Sequence, residues 1–186
     1  MKNARNKNIF LIGPLGAGKS TIGRALARIL KKKFYDTDRM IEEYSGVSIS
    51  WIMDIEGEDN FHEREFKALE ELDSLTNIVV ATGGGIVLLE KCRKFMKEHG
   101  LVVHLNVDLK EQFKRTQRNR YNRPLLRVNN IEEKLMILNR EREHLFQEIS
   151  DVSFTTQGKT IMQIAREIAK WAVDFLPNLK EYDKIK

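Results

Sequence analysis

Apolar positions recur along this 186-residue chain in two rhythms. Continuous apolar runs at 8–12, 77–81 and 101–105 are each ended by glycine or polar residues, the pattern of strands buried on both faces. Shorter runs at 34–36 and 152–155 read as two more strands. Between them the spacing is helical: Ile22, Ala25, Leu26, Ile29 and Leu30 share one face over 21–30, and similar patterns cover 37–44, 48–54, 61–75, 87–99, 108–117, 131–149 and 161–176. Gly100 reads as the C-cap of the helix over 87–99. Five strands alternating with helices predict an α/β chain with a five-stranded parallel sheet and helices on both faces. No repeat, linker or low-complexity stretch divides it, so 1–186 reads as one domain with a polar tail at about 177–186.

The first strand-to-helix junction carries chemistry as well as pattern. Gly13, Pro14, Leu15, Gly16, Ala17, Gly18, Lys19 and Ser20 fit the phosphate-loop form G-x-x-x-x-G-K-[ST], with a strand before and a helix after. Glycines let successive N–H groups turn onto a phosphate, and the following helix aims its positive end at the same anion. The candidate nucleotide-binding set is therefore Gly13, Gly16, Ala17, Gly18, Lys19, Ser20 and Thr21, with Lys19 reaching the β/γ-phosphates and Ser20 ligating Mg²⁺. ATP and Mg²⁺ are the expected cofactors, and the expected fold is that of a P-loop NTPase.

Ligands of such sheets gather at the carboxyl ends of the strands. There the second strand offers Asp36, Thr37 and Asp38, and the third offers Gly83, Gly84 and Gly85. Asp38 or Thr37 would cap the next helix well, but capping leaves one acid unused beside a phosphate site. With Mg²⁺ nearby, one acid can serve the metal's water shell while the other orients or deprotonates an acceptor hydroxyl. The triple glycine permits close approach of a small substrate.

Charge adds one region. The formal net charge of +5 is concentrated at 110–127, where Lys110, Lys114, Arg115, Arg118, Arg120, Arg123 and Arg127 face a single acid, Glu111. Nucleic-acid binding would call for interleaved aromatics, and only Tyr121 is present. In a chain with a phosphate loop, an arginine lid at about 117–130 closing on the nucleotide is the simpler account. Composition, at 41% hydrophobic and 32% charged, is that of an ordinary globular protein. There is no apolar run of membrane-spanning length and no signal-peptide core, which points to the cytoplasm with neither membrane nor nucleic-acid partners. Cys92, the only cysteine, reads as packing.

Taken in order, the run over 8–21, Asp36 with Asp38, Glu56-Gly57-Glu58 followed by Phe61 and Glu65, Thr82 with its three glycines, and Arg123-Pro124-Leu125-Leu126 resemble the shikimate kinase family. Arg142, Leu145-Phe146 and the stretch 148–151 resemble its late substrate-binding helix. The resemblance implies a nucleoside-monophosphate-kinase-like fold with a lid, acting as a monomer on a small molecule. The implied reaction is transfer of the γ-phosphoryl of ATP to the 3-hydroxyl of shikimate, on the route to chorismate and the aromatic amino acids. It also implies roles: Lys19 at the transferring group, Ser20 on Mg²⁺, Asp36 in the metal's outer shell and Asp38 as base. Arg123 would arrive with the lid, Arg118 would serve the nucleotide, Gly83, Gly84 and Gly85 would border the ring, and Arg142 would hold the substrate carboxylate.

One position departs from that pattern. Where the family usually places a second carboxylate-binding arginine, this chain has His62, which when neutral keeps one donor but loses the charge. It is either a ligand of the carboxylate or a helix residue of the surface or the core. Arg64, about half a turn further round, is left open as a contributor, and Met53 stands where an aromatic often borders the ring. The rival readings are a gluconate or nucleoside-monophosphate kinase, a phosphate-loop binding protein without catalysis, and a nucleic-acid-binding protein.

Overall fold

The computed structural model describes residues 8–117 and 124–175. Five strands form one sheet: β1 (Asn8–Ile12), β2 (Lys33–Asp36), β3 (Ile78–Ala81), β4 (Gly100–Asn106) and β5 (Val152–Thr155). Their order is β2-β3-β1-β4-β5 and every pairing is parallel. The phosphate loop therefore leaves the centre of the sheet. β1 and β3 are buried throughout, whereas the edge strands β2 and β5 are partly exposed, which explains their shorter apolar runs.

The period of two along β1 divides the core. Ile9 and Leu11 face Ile22 and Leu26 of α1 (Lys19–Ile29) and Ile164 and Ile168 of α8 (Ile161–Phe175). Phe10 and Ile12 face the other layer, where α4 (Glu58–Glu70), α5 (Glu90–His99) and α7 (Ile131–Ile149) bring Leu69, Met96 and Phe146. Each fully buried side chain of this size contributes about 1.5–3 kcal/mol relative to exposure. Two short helices, α2 (Thr37–Ser45) and α3 (Ile49–Ile55), fill the space between β2 and α4, and α6 (Leu109–Gln117) packs on α7.

Several boundaries differ from those the pattern predicts. The first helix begins at Lys19 rather than 21, because Gly18, at φ 91°, closes the loop and acts as its N-cap. The helix expected over 61–75 runs from Glu58 to Glu70, its first turn being polar and silent in an apolar pattern. The helix expected over 87–99 divides into a 3-10 turn at Ile86–Leu88 and α5. Gly100 is not a left-handed C-cap: its φ of −176° is extended, it opens β4, and a Cβ there would lie 2.6 Å from the Asn8 carbonyl oxygen. Neither Thr37 nor Asp38 caps α2; Asp36 does, accepting from the Arg39 N–H at 3.5 Å.

Candidate active site

A cleft of about 870 Å³ opens along the carboxyl ends of β1, β2 and β3. The phosphate loop forms one end. Gly13 adopts φ 143° and presses so closely on the Leu105 carbonyl that no Cβ would fit. Lys19 Nζ donates to the carbonyl oxygens of Gly13 (2.7 Å) and Pro14 (2.9 Å), lying along the loop it would serve. Arg115, which also lines the cleft, fastens the loop, donating to the Gly16 carbonyl (3.2 Å) and to Thr156 Oγ1 (3.0 Å). Gly16, Gly18, Lys19, Ser20 and Thr21 line the cleft, while Gly13 and Ala17 are buried behind it.

The other end is made of charged side chains on three helices. Asp38 projects from the first turn of α2 into the cleft, and its Oδ1 is sealed from solvent without a hydrogen-bond partner. Burial, with repulsion from Glu65 and Asp36 outweighing the pull of Lys19, pushes its carboxyl up to about 7. Glu65, fully buried on α4, has a free Oε1 and an Oε2 2.7 Å from His62 Nδ1. Gly83 permits this convergence: a Cβ there would collide with Glu65 Oε1 and lie 2.8 Å from Asp38 Oδ1. The Gly83 N–H donates to Thr37 Oγ1 (3.2 Å) and Thr82 Oγ1 to the Leu11 carbonyl (3.0 Å), so the glycine turn is tied to both neighbouring strand ends. Gly84 and Gly85 also line the cleft, the former against Leu15 and the latter against the His62 ring.

His62 is 7% exposed on the cleft wall and is thus not a solvated helix residue. Its hydrogen bond to Glu65, aided by attraction to Glu65 and Glu58, raises its proton affinity above the ordinary histidine value against the opposing effects of burial and Arg142. Burial also raises the proton affinity of Glu65, which the bond to His62 counters. Arg142, 4% exposed on α7, lines the same wall; burial lowers its proton affinity from the usual arginine value. Arg64 does not reach: its Nε and Nη2 bind Glu56 at 2.9 and 2.7 Å. Met53 borders the cleft as expected.

Asp36 is 8% exposed and caps α2. Arg118 and Arg123 lie outside the described residues. Beyond them, Pro124, Leu125 and Arg127 reach the cleft, and Arg127 Nη1 meets Asp54 of α3 at 2.8 Å. Sequence reasoning missed Glu58, Glu65 and Arg115 as site residues. Glu65 was visible as an acid on the apolar stripe of α4, where a fully buried charge calls for a partner; Glu58 and Glu65 flank His62 at i−4 and i+3.

A phosphate loop at the end of a central parallel strand, opening into a cleft whose far wall holds buried acids and cations, defines a P-loop phosphotransferase with a small polar acceptor. The chain belongs to the shikimate kinase family, ATP-dependent transferases whose family model, described as "Shikimate kinase", matches residues 15–173. The shikimate kinase of Legionella pneumophila (strain Corby) is 50% identical over 171 residues, covering 92% of this chain and 97% of that one. That of Francisella tularensis subsp. holarctica is 46% identical over 171 residues, 91% of this chain and 97% of its own. Among solved structures, shikimate kinase from Acinetobacter baumannii in complex with shikimate superposes with a TM-score of 0.87 at 39% identity, covering 97% of this chain and 96% of that one. A gluconokinase from Sinorhizobium meliloti 1021 shares the fold at a TM-score of 0.60 and 19% identity, over 95% of both chains. Among the described residues no helix is long and apolar enough to cross a membrane.

Proposed function

We propose that the cleft transfers the γ-phosphoryl group of ATP to the 3-hydroxyl of shikimate, with phosphates on the loop and the acceptor against Asp38, the glycine turn, His62 and Arg142. One observation carries this reading: a sealed, unpartnered carboxylate oxygen of Asp38 shares a single cleft with Lys19 and with the buried side chains of His62 and Arg142, whose N–H donors suit a carboxylate. A proton affinity near neutrality suits Asp38 to accept the hydroxyl proton as the new O–P bond forms and the bond to the departing ADP oxygen breaks. Lys19 balances charge on the moving phosphoryl group, and so does Arg123, with Arg118 beside the nucleotide. The transition state is loose, so alignment and positive charge contribute more than bond-making by the protein.

The residues fit Mg²⁺. Ser20 lines the cleft, and the buried carboxylate of Asp36 is close enough to raise the proton affinity of Asp38; a hydroxyl and a carboxylate are both hard oxygen donors. Ser20 would hold the ion directly and Asp36 through its water shell, and the bound ion would neutralise phosphate charge. On this reading the protein is a cytoplasmic monomer whose partner is a free small molecule rather than nucleic acid or a membrane. A coupled assay of ADP release with shikimate, gluconate and AMP tests it: turnover with shikimate far above the other two is expected, and preference for either alternative overturns it.

A further inference from the structure

Glu58 stands in the first turn of α4, where the helix dipole favours an acid, and its side chain is 48% exposed. Its Oε1 nevertheless points inward, 3.6 Å from His62 Nε2 and 3.7 Å from Arg142 Nη2. One oxygen of an internal carboxylate thus sits beside both groups that receive the acceptor's carboxylate. At those lengths the contacts are attractions between charges rather than hydrogen bonds. The other nitrogen of His62 is committed to Glu65, and Arg142 Nε is buried with no hydrogen-bond partner. Donors directed at an anion are therefore present, and Glu58 neutralises them without saturating them.

We propose that Glu58 is an internal stand-in for the acceptor's carboxylate, balancing the charge of His62 and Arg142 until substrate binding exchanges one carboxylate for the other. This rests on the reading that His62 and Arg142 take the acceptor's carboxylate. The physical case is an asymmetry of burial. Arg142 is almost wholly covered and a buried cation calls for counter-charge, which Glu58 supplies ahead of Glu65 and Glu141. Glu58 is half in water, so its attraction to the site is screened and little is lost when it moves out into solvent. An internal competitor lowers apparent affinity by the fraction of molecules in which it has moved aside. Its presence trades substrate affinity for stability of the free enzyme, and marks Glu58 as a residue that sets the Michaelis constant.

Glu58→Gln keeps the shape and removes the charge. The Michaelis constant for shikimate is expected to fall severalfold, with the change in KM rather than kcat and with the constant for ATP unaltered. Acetate, a bare carboxylate, should compete with shikimate at lower concentration in the variant than in the parent. The variant should melt at lower temperature, and shikimate should raise its Tm by more than it raises the parent's. A shikimate constant that rises or stays level in Glu58→Gln overturns the exchange. Arg142→Lys and Arg142→Gln, checked for folding by circular dichroism, separate this from the reading beneath it. If both leave the shikimate constant unchanged, the carboxylate assignment fails and takes the proposal with it; if they raise it while Glu58→Gln does not lower it, only the stand-in is discarded.

Discussion

The phosphate end of the cleft is made largely of backbone carried on the central strand, whereas the acceptor end is made of side chains from α2, α4 and α7. At the first end, glycine conformations and loop carbonyls set the geometry, and Lys19 lies across them at 2.7 and 2.9 Å. At the second, Glu58 and Glu65 attract His62, Glu58 attracts Arg142, Asp38 is repelled by Glu65, and two of these carboxylate oxygens have no hydrogen-bond partner. Backbone sites tolerate change around them and fail when the loop itself is altered. Side-chain sites can be retuned one residue at a time.

The largest effect belongs to the phosphate end. Lys19→Ala should lower turnover by several orders of magnitude while urea unfolding stays cooperative, since the residue balances charge in transfer rather than filling the core. Activity within tenfold of the parent would break the contrast.

At the junction of the two ends, Asp38→Asn should lower kcat by about a hundredfold or more, with calorimetric affinity for ATP nearly unchanged. The same variant should melt higher than the parent at pH 8, because it removes an ionised group that burial and two neighbouring acids disfavour. A collapse of ATP binding would move Asp38 to the phosphate end.

Gly83→Ala places a methyl group on the Asp38 and Glu65 oxygens and should cost about tenfold in kcat/KM for shikimate. Near-normal kinetics would show that the two acids need not converge.

A smaller, pH-dependent effect sharpens the comparison. The bond to Glu65 keeps His62 charged through its ordinary value of about 6.5, so the shikimate constant should be flat below that pH and rise above it. The same raised affinity adds stability that is complete below the unfolded value and is lost as pH climbs through the folded one. His62→Arg should lower the shikimate constant severalfold and flatten its profile, and superimposable profiles for parent, His62→Arg and His62→Ala would discard the role. The smallest effect is at Cys92, fully buried with its thiol pushed up to about 12: thiol reagents should label it only after unfolding.

The same contrast explains what could be read in advance. All five strands and their parallel order class follow from apolar runs, because β1, β3 and β4 are buried on both faces and leave an unmistakable pattern. The phosphate loop is contiguous and so is legible as a motif. Helix starts were less so: the first turn of α4, Glu58 to Asn60, is polar, and only three-dimensional packing shows that Glu58 turns back on His62 and Arg142. Asp36 and Asp38 were visible as a pair, but which one caps α2 depends on backbone geometry that composition does not encode. Arg115 was hidden inside a basic run whose members look alike until one of them is found bonded to the loop.

The place of β1 in the sheet has a consequence for hydrogen exchange. Its amides are paired on both sides, by β3 and by β4, while α3 rests mainly on α2, α4 and the turn at Pro124–Leu126. Amides of β1 should therefore exchange only through global unfolding, and those of α3 through local opening at far lower free energy. On this expectation the phosphate loop is anchored to a slowly exchanging unit, and the helix bearing Met53 and Asp54 belongs to a faster one.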